Sequence, residues 1–178
     1  MNQLGHDCFL GLGSNLKNPV AQIRTSIEHL HHLPCTQIIK VSNFYRSKAW
    51  GVTEQNDFIN AAVKINTTLK PLALLKKVKT IEYRLMQRQL TQRWHSRVID
   101  IDLLIYGTSV INRAELAIPH PWISERCFVI EPLLELKPQM PVDLIQKITQ
   151  HRKNHQCADH LIKTHKPEIS CLKPQKPC

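Results

Sequence analysis

The sequence predicts an α+β fold with the order strand, helix, strand, strand, helix, strand. Three observations predict it. Four short apolar runs are rich in β-branched and aromatic residues: Phe9-Leu10-Gly11-Leu12, Thr36–Tyr45, Phe58–Ile65, and the run through Ile99, Ile101 and Tyr106. Two segments between them repeat apolar residues at helical spacing: Ala21, Ile23, Ile27 and Leu30, then Leu72, Leu75, Val78, Ile81 and Leu85. Each helical segment opens on a proline, Pro19 and Pro71, where a missing N–H costs nothing. This order is that of the ferredoxin-like, split βαβ arrangement, βαββαβ: an antiparallel sheet with helices on one face.

Taken along the chain, Phe9–Leu12 reads as a short buried strand and Gly13-Ser14-Asn15 as the turn after it. Asn18-Pro19 then starts a helix over residues 19–32. Thr36–Tyr45 is read as one strand, Arg46–Asp57 as a polar loop, and Phe58–Ile65 as a strand antiparallel to the first. The helix from Pro71 is followed by a polar loop over about residues 86–97 and by the strand that carries Asp100 and Asp102. Beyond Gly107 come a short extended piece at Val110–Asn112, a Pro119-His120-Pro121 turn and an apolar helix over Cys127–Glu135. Residues 151–178 hold three Pro, four His and five Lys but few large apolar groups. They read as a flexible tail on a domain spanning residues 1–150.

Composition bounds the function. The chain has 178 residues, enough for one domain with a substantial core. No run approaches a membrane span, and Met1–Asp7 lacks the pattern of a signal peptide, so a cytoplasmic location is expected. The six cysteines have no paired spacing and are expected as free thiols, with Cys8 and Cys127 packed as small hydrophobes. The net charge of +10 points to a polyanionic partner, either a nucleotide or a nucleic acid. Residues 151–178 carry six Lys/Arg against two acids, but Arg84, Arg88, Arg93 and Arg97 cluster beside the carboxylate strand. An aromatic content of 6% argues against an RNA-binding sheet, as does a carboxylate pair that would repel phosphates unless metallated.

The carboxylate strand carries most of the chemistry. Side chains alternate along a strand, so Asp100 and Asp102 share one face while Ile99, Ile101 and Leu103 share the other. Two carboxylates side by side repel each other and are costly to desolvate. A Mg²⁺ ion answers both problems and commonly binds such pairs together with substrate phosphates. A half-exposed strand paired with nearby cations would look the same. Upstream, Arg93 and Arg97 offer forks for phosphate oxygens and Trp94 a flat stacking face.

Other motifs are weaker. Gly11-x-Gly13-Ser14-Asn15 lacks the Lys-Ser/Thr of a phosphate loop and is read as a tight strand-to-helix turn. His120 is stiffened by its flanking prolines, and Arg126 and Phe128 follow with a cation and an aromatic face. Phe58 and Asn60 share one strand face, suited either to a flat heterocycle or to the core. His155-x-Cys157-x-x-His160, with His165, Cys171 and Cys178 beyond, has the residue types of a zinc cluster, but no second pair completes a familiar frame.

Five segments stand in an order and spacing that resemble a known family: Gly11–Asn15, Val41–Arg46, Asp57–Ala62, Arg93-Trp-x-x-Arg97-x-x-Asp100-x-Asp102, and Pro119-His120-Pro121 with Arg126-x-Phe128. The likeness, over about residues 8–140, is to the 6-hydroxymethyl-7,8-dihydropterin pyrophosphokinases of folate biosynthesis. It implies pyrophosphoryl transfer from ATP to the pterin hydroxymethyl group, with AMP as product and two Mg²⁺ as cofactors. Asp100 and Asp102 would hold the metals, with Arg93 and Arg97 beside them in catalysis. Glu82, Arg88, Arg93, Trp94, Arg97, Leu103, His120 and Arg126 would serve ATP. Ser47, Trp50, Phe58, Asn60, Trp94 and Phe128 would form the pterin pocket. A monomer acting on ATP and the pterin is implied, without nucleic acid or membrane as partner.

The chain departs from this pattern at three places. Met86-Gln87-Arg88-Gln89 stands where the family has Gly-Arg-x-Arg, Trp94-His95-Ser96-Arg97 lacks a proline, and Lys48-Ala49 replaces prolines beside Ser47. A paralogue that binds pterin or nucleotide but turns over slowly is compatible with these departures.

Overall fold

The computed structural model describes residues 5–49, 54–88 and 96–165. Its first strand, β1 (His6–Ser14), leads into helix α1 (Pro19–His31). Asn18 caps that helix: its side-chain oxygen accepts from the Ala21 N–H at 3.2 Å, and Pro19 takes the first helical position. Thr36–Tyr45 is not one strand. It divides into β2 (Thr36–Val41) and β3 (Phe44–Ser47), both antiparallel to β4 (Phe58–Thr67). Ser42 makes the joint, because its hydroxyl accepts from the Ala62 N–H at 2.9 Å and stands in for a lost backbone pairing. The stretch expected as loop from Arg46 therefore begins as strand.

Helix α2 (Pro71–Thr80) runs into a π-helical turn over Ile81–Leu85. The wider turn brings the Met86 N–H to the Ile81 carbonyl at 2.8 Å and shifts the helical register. Leu85, expected on the buried face, is 53% exposed, and Met86 is buried in its place. Strand β5 (Asp100–Tyr106) follows and pairs antiparallel with β1. A small hairpin joins β6 (Ile111–Asn112) to β7 (Ala117–Ile118), and helix α3 (Cys127–Glu135) comes next.

The main sheet runs β5-β1-β4-β3, with β2 also on β4, which is the expected ferredoxin-like arrangement. Helices cover both faces rather than one. On one face, Ile23, Ile27 and Leu30 of α1 and Leu74 and Val78 of α2 meet Leu10, Leu12, Ile65, Ile99, Ile101 and Leu103. On the other, Ile130 and Leu133 of α3 meet Phe9, Ala62 and Leu104. Each fully buried Leu or Ile contributes about 1.5–3 kcal/mol of burial free energy.

The boundary expected at residue 150 falls inside helix α4 (Val142–Asn154), which the sequence reading did not anticipate. Its apolar stripe is sparse: Leu144 and Ile148 are buried, but Val142 and Ile145 are exposed. Residues 157–160 then form a 3₁₀ turn, and β8 (Ile162–His165) adds to the sheet beside β3. Within the segment expected as a flexible tail, Cys157 is buried and Ile162–His165 pair with β3, while most of the other described residues up to 165 are exposed. The cysteines also depart from expectation. Cys127 and Cys157 form a disulfide, and Cys35 is disulfide-bonded as well. The pairing joins residues 30 apart in sequence, a proximity that only the fold creates. Cys8 is a free, buried thiol as expected, pushed up to about 12 by burial. No helix among the described residues is long and apolar enough to cross a membrane.

Glu135 locks the C-terminal segment to the sheet. Its carboxylate accepts from the Asn43 N–H at 2.7 Å and the Tyr45 hydroxyl at 2.5 Å, and Lys163 lies 2.8 Å away. Burial works against its charge, but Lys163, Tyr45 and Asn43 outweigh burial and hold the carboxyl at about 2, against 4.5 ordinarily. A depressed carboxyl stabilises the fold above its unfolded value and loses that contribution as pH falls through the folded value. Thermal melts between pH 5 and 2 are expected to fall steeply for the parent chain, and less steeply for Glu135→Gln, whose melting temperature is lower at pH 6. Parallel curves for the two proteins would remove Glu135 from this role.

Candidate active site

The site is built by register. Gly13 of β1 pairs with Asp100 on one side and Asn60 on the other, and Gly11 pairs with Asp102 and Ala62. Laterally paired residues share a sheet face, so Asp100, Asp102, Gly11, Gly13 and Asn60 present themselves together. This is the face that α3 covers only in part. A cleft with about 720 Å³ of empty space, part of it open to solvent, lies here. Ser47, Phe58, Asn60, Arg97, Asp100, Asp102, Arg126 and Phe128 line it, all of them expected site residues.

Gly13, expected in the turn after the strand, belongs to β1 together with Gly11, and the two floor the cleft. A Cβ on Gly13 would come within 3.2 Å of the Asn60 side-chain oxygen, and one on Gly11 within 3.3 Å of Leu104. Glycine inside a strand weakens it unless something approaches closely, and that was the available signal. Asn60 is buried and its amide N–H donates to the Ser47 hydroxyl at 2.9 Å. With the amide so oriented, its carbonyl oxygen faces the space above Gly13.

Cations crowd Asp100. Arg88 Nη1 lies 2.6 Å from one oxygen and Arg97 Nη1 2.5 Å from the other. Burial alone would push this carboxyl up, but Arg97, Arg88 and Lys79 outweigh it and hold it below its ordinary value. Asp102 goes the opposite way: burial, then the charge of Asp100, push it up. The pair is thus split, with one carboxylate neutralised by arginines and the other costly to ionise. Hard oxygens on one face, one of them short of positive charge, fit a Mg²⁺ ion.

Glu82 supports the strand from below. It is fully buried, accepts from the Ile101 N–H at 2.7 Å and from Arg88 at 2.8 Å, and pairs with Lys79 at 2.6 Å. The Ile101 amide lies between the two aspartates, so Glu82 positions the backbone of both. Lys79 escaped the sequence reading, since a lysine in a helix is ordinarily a solvated residue. Asn15 also does more than turn the chain. Buried at 1% exposed, it accepts from the Arg97 N–H at 2.8 Å and donates to Gln55, Asn56 and Ser96. It ties the segments on both sides of the cleft to the end of β1.

His120 donates its backbone N–H to the Leu104 carbonyl at 2.9 Å, which fixes the Pro-His-Pro turn to β5. Its Nδ1 accepts from the Trp122 N–H at 3.2 Å, leaving Nε2 to carry the proton in the neutral ring. Burial lowers its pKa against the pull of Asp102. The Arg126 guanidinium stacks on Trp122 at 4.5 Å and sits 5.9 Å from the Phe128 ring. Leu103 points away, into the core under α1 and α2. Trp50, Arg93 and Trp94 lie outside the described residues.

The profile of the 7,8-dihydro-6-hydroxymethylpterin-pyrophosphokinase family matches residues 9–138, the span that holds both aspartates and the cleft. The chain belongs to this family. A pyrophosphokinase of Haemophilus influenzae named for 2-amino-4-hydroxy-6-hydroxymethyldihydropteridine is 39% identical over 152 residues, 85% of this chain and 93% of that protein. The enzyme of that name from Methylorubrum extorquens is 40% identical over 134 residues, 75% of this chain and 84% of its own length. Among solved structures, a Plasmodium falciparum HPPK-DHPS with pteroate superimposes at a TM-score of 0.64 and 15% identity over 91% of this chain. A second HPPK-DHPS structure gives 0.62 and 15% over 85%. The chain spans about half the length of these HPPK-DHPS chains, 47% and 44%, and the likeness to them is one of fold.

Proposed function

We propose that this pyrophosphokinase-family chain transfers pyrophosphate from ATP to the hydroxymethyl group of 6-hydroxymethyl-7,8-dihydropterin, yielding the pterin diphosphate and AMP for folate biosynthesis. The observation that carries the reading is the pairing of Gly13 and Gly11 with Asp100 and Asp102 on one side and with Asn60 and Ala62 on the other. It sets a carboxylate pair beside an amide and two aromatic rings in one cleft. Phe58 and Phe128 offer faces to a flat bicyclic ring, and the Asn60 carbonyl accepts from its ring amino groups. The glycine floor leaves the ring room to lie against the sheet.

The reaction forms a bond from the hydroxymethyl oxygen to the β-phosphorus and breaks the one from that phosphorus to the α–β bridging oxygen. AMP leaves with that oxygen. Such transfers rest on alignment and charge stabilisation more than on covalent help. Arg97 and Arg126 present planar guanidinium groups to phosphate oxygens, and His120 adds its Nε2–H. Asp100 and Asp102 would hold Mg²⁺, two ions in the proposed state, and the metal would supply neutralisation of phosphate charge. A part for Leu103 in ATP binding would fall to its backbone, and parts for Arg93 and Trp94 toward ATP and for Trp94 and Trp50 toward the pterin are proposed from the family pattern alone.

With Mg²⁺, ATP and the dihydropterin, AMP is the expected nucleotide product in equal amount to pterin diphosphate. Stoichiometric ADP would overturn the assignment and indicate single phosphoryl transfer. Absence of any nucleotide product, with pterin binding retained, would favour a binding paralogue.

A further inference from the structure

Three metal-ligating side chains meet away from the cleft. Cys127 opens α3, His151 lies in the last turn of α4, and Cys157 begins the 3₁₀ turn. One ligand atom from each lies within 4.8 Å of the others. Cys157 is fully buried at the edge of the second core, and the other two are half-buried. The His155 ring stacks on His151 with centroids 4.0 Å apart and 18° between the planes, which restrains the imidazole. Cys127 and Cys157 are joined as a disulfide, so the sulfurs already converge on one point.

We propose that Cys127, His151 and Cys157 form a second metal site, distinct from the aspartate pair, that takes a borderline-soft divalent cation of the Zn²⁺ class when the disulfide is reduced. The donor set selects the ion. Two thiolates and an imidazole suit Zn²⁺, whereas Mg²⁺ prefers carboxylates and water. Three protein donors leave one position of a tetrahedral ion to solvent. The spacing is invisible along the chain, because the cysteines stand 30 residues apart and the histidine lies between them. His155-x-Cys157-x-x-His160 pointed to the right cysteine, but among the described residues the partners are Cys127 and His151.

The exchange balances with a dithiol reductant. The dithiol gives two electrons and two protons to the protein disulfide, closing its own disulfide and leaving Cys127 and Cys157 as thiols. On binding, the metal takes both thiolates and their protons pass to the buffer. The disulfide clasp ties the 3₁₀ turn after α4 to the start of α3, and a metal that His151 also holds would tie in α4 itself. Cys127 stands between Arg126 and Phe128, which line the cleft, so the clasp fixes one wall of that site.

Co²⁺ titration of the full chain tests this, with Zn²⁺ as competitor. After dithiothreitol reduction and removal of the reagent, the wild type is expected to show a thiolate-to-Co²⁺ charge-transfer band. Zn²⁺ should abolish the band and excess Mg²⁺ should not. The unreduced wild type and a Cys127→Ser/Cys157→Ser variant should lack it. His151→Ala should weaken Co²⁺ binding roughly 10- to 100-fold or more. The proposal fails if reduced wild type gives no band, if the band survives in the double serine variant, or if His151→Ala leaves affinity unchanged. Loss of the far-UV circular dichroism on reduction would also overturn it, since the site needs α3 and α4 folded together.

Discussion

Asp102→Asn is expected to cut AMP formation by roughly 10³-fold or more while leaving the protein folded and, without metal, no less stable. The two halves of this result have one cause. Asp102 is pushed up by burial and by the charge of Asp100, so its ionised form is costly in the folded chain. A raised carboxyl opposes folding at neutral pH, and the isosteric amide removes that cost without opening a cavity. The same carboxylate is what a cation and the developing phosphate charge require. Steady-state AMP release and a metal-free thermal melt check both halves. Near-parental activity at saturating Mg²⁺ would remove Asp102 from the reaction, and a sharply lower melting temperature would make its role structural.

Arg88→Ala carries the second large effect, on stability and on rate together. Its Nη1 bridges Glu82 and Asp100, at 2.8 and 2.6 Å. Removing one partner of a buried ion pair typically costs 3–5 kcal/mol. Glu82 keeps Lys79 and the Ile101 amide, and Asp100 keeps Arg97, so about 3 kcal/mol is expected here. For a chain of this length that is a drop of roughly 6–12 °C in melting temperature. The rate is expected to fall roughly 10- to 100-fold, the worth of a charge-assisted hydrogen bond made to substrate phosphates. Such a fall would mean that Arg88 serves for the arginines absent at Gln87 and Gln89. On that view Gln87→Arg with Gln89→Arg is no faster than the parent. A faster double variant, beside an Arg88→Ala protein that keeps its rate, would show Arg88 to be structural alone.

Legibility followed the range of the interactions involved. The order of strands and helices was readable because alternation and helical spacing are local. The sharing of one face by Asp100 and Asp102 was readable for the same reason, since the period of a strand is two whatever it pairs with. Where a local pattern was overridden, a nearby interaction did it. The π-helical turn at Ile81–Leu85 moved Leu85 outward, and the Ser42 hydroxyl let one predicted strand bend into two. Helix α4 was missed because only Leu144 and Ile148 of its face are buried.

By itself, the sequence determined the βαββαβ order, the carboxylate pair, the surrounding basic residues and the family pattern, all properties of single segments or of their succession. Tertiary structure alone decided which segments lie side by side. Register placed Gly13 and Gly11 between the aspartates on one side and Asn60 and Ala62 on the other, so that Gly13, expected in a turn, joins the floor of the cleft. Packing brought Glu82 to the amide between the aspartates, 19 residues on, and Arg88 to Asp100. It also closed Cys127 on Cys157 beside His151. Such contacts join residues with no fixed spacing, and they form because burying one apolar face of each element leaves few ways to stack them.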